Sequence, residues 1–171
     1  MKRPFMLLLL TTVIMGLTAG IFFCWSISVT KGLAPLPDKE YLMAFQSLNR
    51  EILNPLFFIC FLGPVILLPA SAWQQYAHPV PLRCWLLLAA AAVYIVGVII
   101  VTFAGNVPLN DTIDAFNISA ATTTQIADCR MNFEARWNGL NTIRTLACII
   151  SFVLTVLACM DRYPIREVKM G

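Results

Sequence analysis

Charge is scarce in this chain, and so are the side chains that most enzymes use to move protons. Only 12 basic and 9 acidic residues and a single histidine occur among 171 residues. A soluble domain carries about 25% charged residues. Here the share is 12%, against 59% hydrophobic, which is too much apolar surface to hide in one water-soluble core. The six cysteines include no Cys-x-x-Cys pair, which argues against the dithiol chemistry of a membrane thiol oxidoreductase. Cys129 alone falls in a water-facing loop, where a free thiol is expected. His78 sits beside Pro79, far from any acidic cluster that would supply co-ligands, and no familiar haem-binding spacing is present, so neither a metal nor a cofactor is expected. A glycine-rich phosphate loop, a zinc motif and a nucleophile elbow are also missing. The net charge of +3 is not gathered into a basic patch, which excludes nucleic acid as a partner.

What remains is long apolar runs. Uncharged stretches extend from Pro4 to Thr30, Ile52 to Leu82, Cys84 to Asn110 and Thr145 to Met160, the last lengthened upstream by Trp137 to Ile143 with Arg144 as its only charge. A hydrocarbon core of about 30 Å needs roughly 20 helical residues, and lipid-exposed backbone must satisfy itself within the helix. The expected fold is therefore all-α. It is a four-transmembrane-helix bundle, one integral membrane domain over 1–171 with spans near 5–29, 54–72, 84–107 and 138–160. The basic Lys2-Arg3 start resembles a signal peptide, but the apolar run continues through Phe22, Phe23 and Trp25 without an Ala-x-Ala site, so it reads as a retained helix. Both termini are expected inside, in a bacterial inner membrane, because Lys2, Arg3, Arg83, Arg162, Arg166 and Lys169 then lie in short inner segments.

Between the first two spans, Tyr41, Phe45, Leu48 and Ile52 recur at helical spacing after Asp38 and Pro37. This short amphipathic helix either connects the crossings or forms a lid over a cavity. Asn54-Pro55 reads as the N-cap and first residue of the second span, which Pro64 and Pro69 are expected to kink or end. The stretch WQQYAHPVP reads as an inner loop, with Trp73, Tyr76 and Trp85 at headgroup depth. The long loop between spans three and four contains a helix from about Thr124 that runs on into the last span, with Ile126, Cys129, Phe133, Trp137 and Leu140 on one face. The small-residue patches around Gly16 and Gly20 and at Ala89 to Ala92 suit close helix packing, within the bundle or in a homodimer.

The expensive polar groups collect at one depth. Thr102, Asn106 and Asn110 are spaced by four on the third span, and Asn138, Asn141, Thr145 and Cys148 share a face of the fourth, with Arg144 beside them. An arginine in a spanning helix faces protein, water or a ligand, unless it snorkels to the headgroups. A polar pocket would contain Arg144 and Asn141, with Asn54 and Glu51 as further members and Trp137 as an aromatic wall or an interface anchor.

The stretches GLTAGIFFCWSISVTKGLAPLPD, FQSLNREILNPLFF, VTFAGNVPLND and RWNGLNTIRTL, in this order, resemble the small four-helix membrane family of anthrone oxygenase-like proteins. The most telling pieces are Asn49 with Asn54-Pro55, the block Asn106 to Asn110, and Trp137 with Asn141 and Arg144-Thr145. The resemblance implies a cofactor-free oxidation of a lipophilic aromatic ketone, with molecular oxygen as co-substrate. Arg144, Asn141 and Glu51 would then be catalytic, and Asn54, Asn106, Asn110, Trp137 and Asn138 would bind substrate. Where the family pattern has a second tryptophan and a histidine, this chain has Leu140 and Thr142. The natural proton acceptor is thereby lost, leaving Glu51, Asp111 or an already ionised substrate. Two other classes stay open: a non-catalytic membrane protein that binds a small lipophilic anion, and an assembly subunit whose asparagines hydrogen-bond between helices.

Overall fold

The structure is a computed structural model that describes residues 3–77 and 79–161. His78, Lys2, Arg162, Arg166 and Lys169, which enter the inner-loop and orientation readings, lie outside the described residues, as does the side chain of Arg3. All regular structure among the described residues is helical: α1 (Arg3–Cys24), α2 (Thr30–Leu33), α3 (Asp38–Glu51), α4 (Pro55–Gln74), α5 (Leu82–Tyr94), α6 (Val107–Ala115) and α7 (Thr123–Met160). Wider π-helical turns at Trp25–Val29, Ile95–Ile100 and Thr102–Asn106 join α1 to α2 and α5 towards α6. Four continuous helices are long and apolar enough to cross a bilayer: Phe5–Leu33, Pro55–Gln74, Leu82–Ala115 and Thr123–Met160. This is the build of an integral membrane protein. Three of the four outrun the expected spans at the end where α3 lies, here called the cap end. α7 alone has 38 residues, about 57 Å of helix against a hydrocarbon core of about 30 Å.

Each crossing packs on its two neighbours in chain order, and the last closes the ring onto the first. The bundle is apolar on its flanks, and its largely apolar core also holds several hydroxyl side chains. Leu9, Val13, Ile66, Val96, Ile150 and Val153 are exposed on its flanks, while Thr11, Thr18, Ser71, Ser151 and Thr155 are fully buried. Lipid tails are as apolar as leucine, so helix association rests on close packing and interhelical hydrogen bonds rather than on apolar burial. Thr11 Oγ1 lies 2.7 Å from Ser71 Oγ, and Ser151 Oγ donates to the Ala90 carbonyl at 3.0 Å.

Neither proline breaks α4, which runs unbroken from Pro55 to Gln74. Pro64 has no N–H for the carbonyl of Cys60, one turn earlier, and in lipid an orphan carbonyl is costly. Thr18 of α1 donates its hydroxyl to that carbonyl at 2.7 Å, and Tyr94 of α5 donates to the adjacent Phe61 carbonyl at 2.7 Å. A neighbouring helix thus supplies the donor that Pro64 lacks, and a second one adds a bond beside it. Asn54 caps α4 as its sequence suggests, its Oδ1 accepting from Phe57 N at 3.0 Å. Trp73 and Trp85 stay exposed at the opposite end of the bundle.

The cap has its own core, in which Tyr41, Leu42, Phe45, Ile113, Phe133 and Trp137 pack together. The buried face of α3 is Tyr41, Leu42, Phe45 and Asn49, rotated from the expected Tyr41, Phe45, Leu48, Ile52 stripe, and Leu48 is exposed. Arg130 pins the cap. Its guanidinium donates to the carbonyls of Leu36 (2.6 Å) and Ala34 (2.8 Å), to Asp38 (3.0 Å) and to Glu134 (2.8 Å), and it lies 4.2 Å over the ring of Tyr41. Burial, helped by the charge of Glu134, holds the Tyr41 phenol above its usual range despite Arg130. Thr122 and Gln125 form a capping box at the start of α7, which fixes where that helix begins.

Candidate functional site

A cavity of about 130 Å³ lies where the bundle core meets the cap core. Such volumes are of the size that holds a single benzene ring. Its walls are aromatic: Phe22 and Trp25 from the first crossing, Phe45 from α3, Phe61 from α4 and Trp137 from α7. The rings interlock, with centroids of Trp25 and Trp137 5.3 Å apart and of Phe45 and Trp137 5.0 Å apart at a steep angle. One side is open. Leu53, Phe58 and Phe103 line the cavity and are exposed at its rim. They sit where α4, closely packed on α5, no longer packs closely on the rest of the third crossing.

Two of the three π-helical turns contribute wall residues at this level: Trp25 from one, Thr102 and Phe103 from the other. A π turn accommodates an extra residue, so it shifts the face that following side chains present. Thr102, Asn106 and Asn110 were expected on one stripe by their spacing of four. Thr102 and Asn110 do line the cavity, whereas Asn106 is fully buried behind it. The Asn106 amide makes one long hydrogen bond to the Trp137 carbonyl (3.5 Å), and its Oδ1 has no partner among the described residues.

Arg144 points inward, only 6% exposed, and does not snorkel. Its Nη2 donates to Asn141 Oδ1 at 2.9 Å and its Nη1 to Thr102 Oγ1 at 3.4 Å. The guanidinium carbon lies 5.0 Å from the Phe22 ring and 5.3 Å from the Trp137 ring. Nε has no partner, and among the described residues no carboxylate pairs with the group. A polar chain holds it from behind. Asn141 Nδ2 donates to Ser26 Oγ (3.0 Å), which lies 2.8 Å from Thr145 Oγ1, and Thr145 in turn donates to the Asn141 carbonyl at 2.8 Å. Asn141 therefore cannot swing away from Arg144 without breaking contacts to two helices. Trp137 Nε1 donates to Asn110 Oδ1 at 2.7 Å, which fixes the indole as a wall.

Of the residues expected at the site, Arg144, Asn141, Asn110 and Trp137 come together around the cavity. Asn54 spends both ends of its amide on capping, at Phe57 N and the Glu51 carbonyl. Asn138 is half-buried outside the lining, and its carbonyl accepts from Thr142. Glu51 is exposed at the end of α3 and does not reach the cavity, because the rotation of α3 turns Asn49 inward instead. Asp111 is likewise exposed on α6. Among the described residues no carboxylate or imidazole lines the cavity, and no three His, Cys, Asp or Glu side chains gather as metal ligands. Ser26 and Asn49 are members that sequence reasoning did not single out for the site. The signal for Asn49 was an amide one turn after Phe45 in a stripe otherwise apolar; Ser26 gave none beyond being polar in a hydrophobic run.

The fold and site define a four-span membrane bundle with an aromatic pocket around a buried cation. The family model described as anthrone oxygenase matches residues 57–154, more than half of the chain, and the chain belongs to that family. The match covers α4 to α7, hence Thr102, Asn110, Trp137, Asn141 and Arg144. No curated protein and no solved structure matches the chain.

Proposed function

We propose that the pocket binds a lipophilic aromatic ketone as its oxyanion and promotes its oxidation by molecular oxygen, without a cofactor. The observation that carries this reading is the Arg144 guanidinium, buried beside an open-sided aromatic cavity with no carboxylate among the described residues to neutralise it. A buried charge of this kind is stable only if something compensates it, and an anionic ligand does so in a site from which water is excluded. The exposed apolar rim of Leu53, Phe58 and Phe103 suits a ligand drawn from the lipid phase. The enclosed volume takes one ring, and further rings extend towards the rim.

Anthrones fit this chemistry. Loss of a proton from the methylene opposite the carbonyl places the charge on the carbonyl oxygen, where Arg144 stabilises it as an oxyanion hole does. Electrons pass from the carbanionic carbon to oxygen, a carbon–oxygen bond forms, and uptake of a proton gives a hydroperoxide. Loss of water leaves the new carbonyl of an anthraquinone, so one oxygen atom ends in product and one in water. With no base in the lining, the protein's share is to make the ketone more acidic, and water or hydroxide at the rim takes the proton. That same lack of a base favours a second reading, a protein that holds such anions without turning them over.

The experiment is oxygen consumption by purified protein in lipid nanodiscs with anthrone as probe. Acceleration at least tenfold over empty nanodiscs, with anthraquinone formed in equal amount to oxygen consumed, is the expected result. Equal rates with and without protein dismiss the oxygenase, and saturable anthrone binding without turnover establishes the second reading. The orientation proposed, with both termini inside a bacterial inner membrane, puts the cap end and this pocket in the outer half of the bilayer.

A further inference from the structure

Arg144 is not the pocket's only unanswered polar group. Asn49 lines the same cavity from α3, is 8% exposed, and its carboxamide hydrogen-bonds to no protein group among the described residues. The position is unusual for an amide. It lies on the buried face of an amphipathic helix, one turn after Phe45, where an apolar side chain would be expected. Its amide atoms stay open to the cavity and are not sealed off without a partner as Asn106 Oδ1 is. Neighbouring asparagines show how the fold treats amides it uses internally: Asn54 caps α4, Asn141 bridges Arg144 and Ser26, and Asn110 holds Trp137.

We infer that Asn49 is a specificity-determining residue that receives a second oxygen substituent of the ligand, a ring hydroxyl or carbonyl other than the oxyanion at Arg144. The inference rests on the ligand reading above and adds the residue that reads the ligand's ring substituents. The two polar groups come from different layers. Asn49 reaches the cavity from α3 in the cap and Arg144 from α7, and the guanidinium is held by Asn141 and Thr102, not by Asn49. The rest of the lining is largely aromatic, so a ring system whose single oxygen is held at Arg144 leaves the Asn49 amide unmatched. A carboxamide offers both a donor and an acceptor, hence either a hydroxyl or a carbonyl satisfies it. Sites built to hydrogen-bond a ligand hydroxyl reject the analogue that lacks it far more strongly than apolar pockets reject a missing methylene.

The test compares affinities of anthrone and each of its ring-monohydroxylated isomers for wild-type protein, Asn49→Leu and Asn49→Ala in nanodiscs. At least one isomer is expected to bind wild type tenfold or more tighter than anthrone, and this preference should shrink below threefold in both variants. The readout is a ratio, which a general loss of affinity or of folded protein does not move. If anthrone binds in an Arg144-dependent way but no isomer is preferred, or the preference survives in the variants, the role of Asn49 is overturned while the ligand reading stands. If neither anthrone nor any isomer binds in an Arg144-dependent way, both are overturned.

Discussion

Replacing Arg144 with methionine is expected to weaken anthrone binding by at least ~100-fold, since removing one partner of a buried charge pair costs about 2–5 kcal/mol. The same change should leave the thermal midpoint unchanged or higher. A residue kept for structure would show the opposite, losing stability along with binding. Arg144 has no carboxylate partner among the described residues, its Nε is unsatisfied, and its hydrogen bonds to Thr102 and Asn141 go to neutral groups. Methionine fills comparable space without a desolvated charge, and apolar replacement of buried ionic groups is often neutral or stabilising. Arg144→Lys provides the control. It keeps the charge but loses the planar fork, so partial binding with a weaker preference for ionised ligands is expected. Calorimetric binding and thermal unfolding in detergent, on the same preparations, check both halves.

The second large effect lies at a helix contact. A Cβ on Gly97 would stand against the Cβ of Ala147, closer than real side chains approach. Gly97→Ala is therefore expected to push the third crossing from α7 and to destabilise by about 1–3 kcal/mol, the usual range for overpacking. Ala147 is three residues beyond Arg144 on the same helix, so ligand affinity should fall as well. The reciprocal pair is informative. Combining Gly97→Ala with Ala147→Gly removes the clash, because the next atom, Ala147 Cα, lies at 3.8 Å, an ordinary contact. The double variant should recover most of the lost thermal stability. Additive losses in the double variant would contradict this contact.

These two residues also mark what a sequence can and cannot disclose. Four spans were legible because lipid admits only self-satisfied helices, which makes long uncharged runs unambiguous. The inward polar face of α7 was legible for a related reason: Asn141, Arg144 and Thr145 have no stable place against lipid. Gly97 was hidden, since a lone glycine in an apolar run says nothing of which helix comes close. The small-residue patches that stand out in the sequence are those around Gly16 and Gly20, of which Gly20 faces open space. Pro64 is expected to kink or end its helix because that helix cannot replace the lost donor, while the hydroxyl of Thr18 that does so comes from a distant part of the chain. The face of α3 was misplaced for a subtler reason. Periodicity assigns apolar side chains to the interior, so Leu48 was favoured over Asn49. That rule fails where a cavity leaves room for a polar side chain on the inner face. Glu51 enters the expected site as a substitute base for the missing histidine, a role that sequence position alone cannot test, and it is found at the surface.

The ionisation of a bound chromophoric phenol tests the central claim most directly. 4-Nitro-1-naphthol absorbs differently in its neutral and ionised forms, so its titration can be followed by absorbance in nanodiscs containing the protein. Arg144 facing the cavity predicts that the bound probe ionises about 1–2 pH units lower with wild type than with Arg144→Met, each unit being 1.36 kcal/mol of preference for the anion. A probe that binds both proteins and titrates alike in each would contradict it.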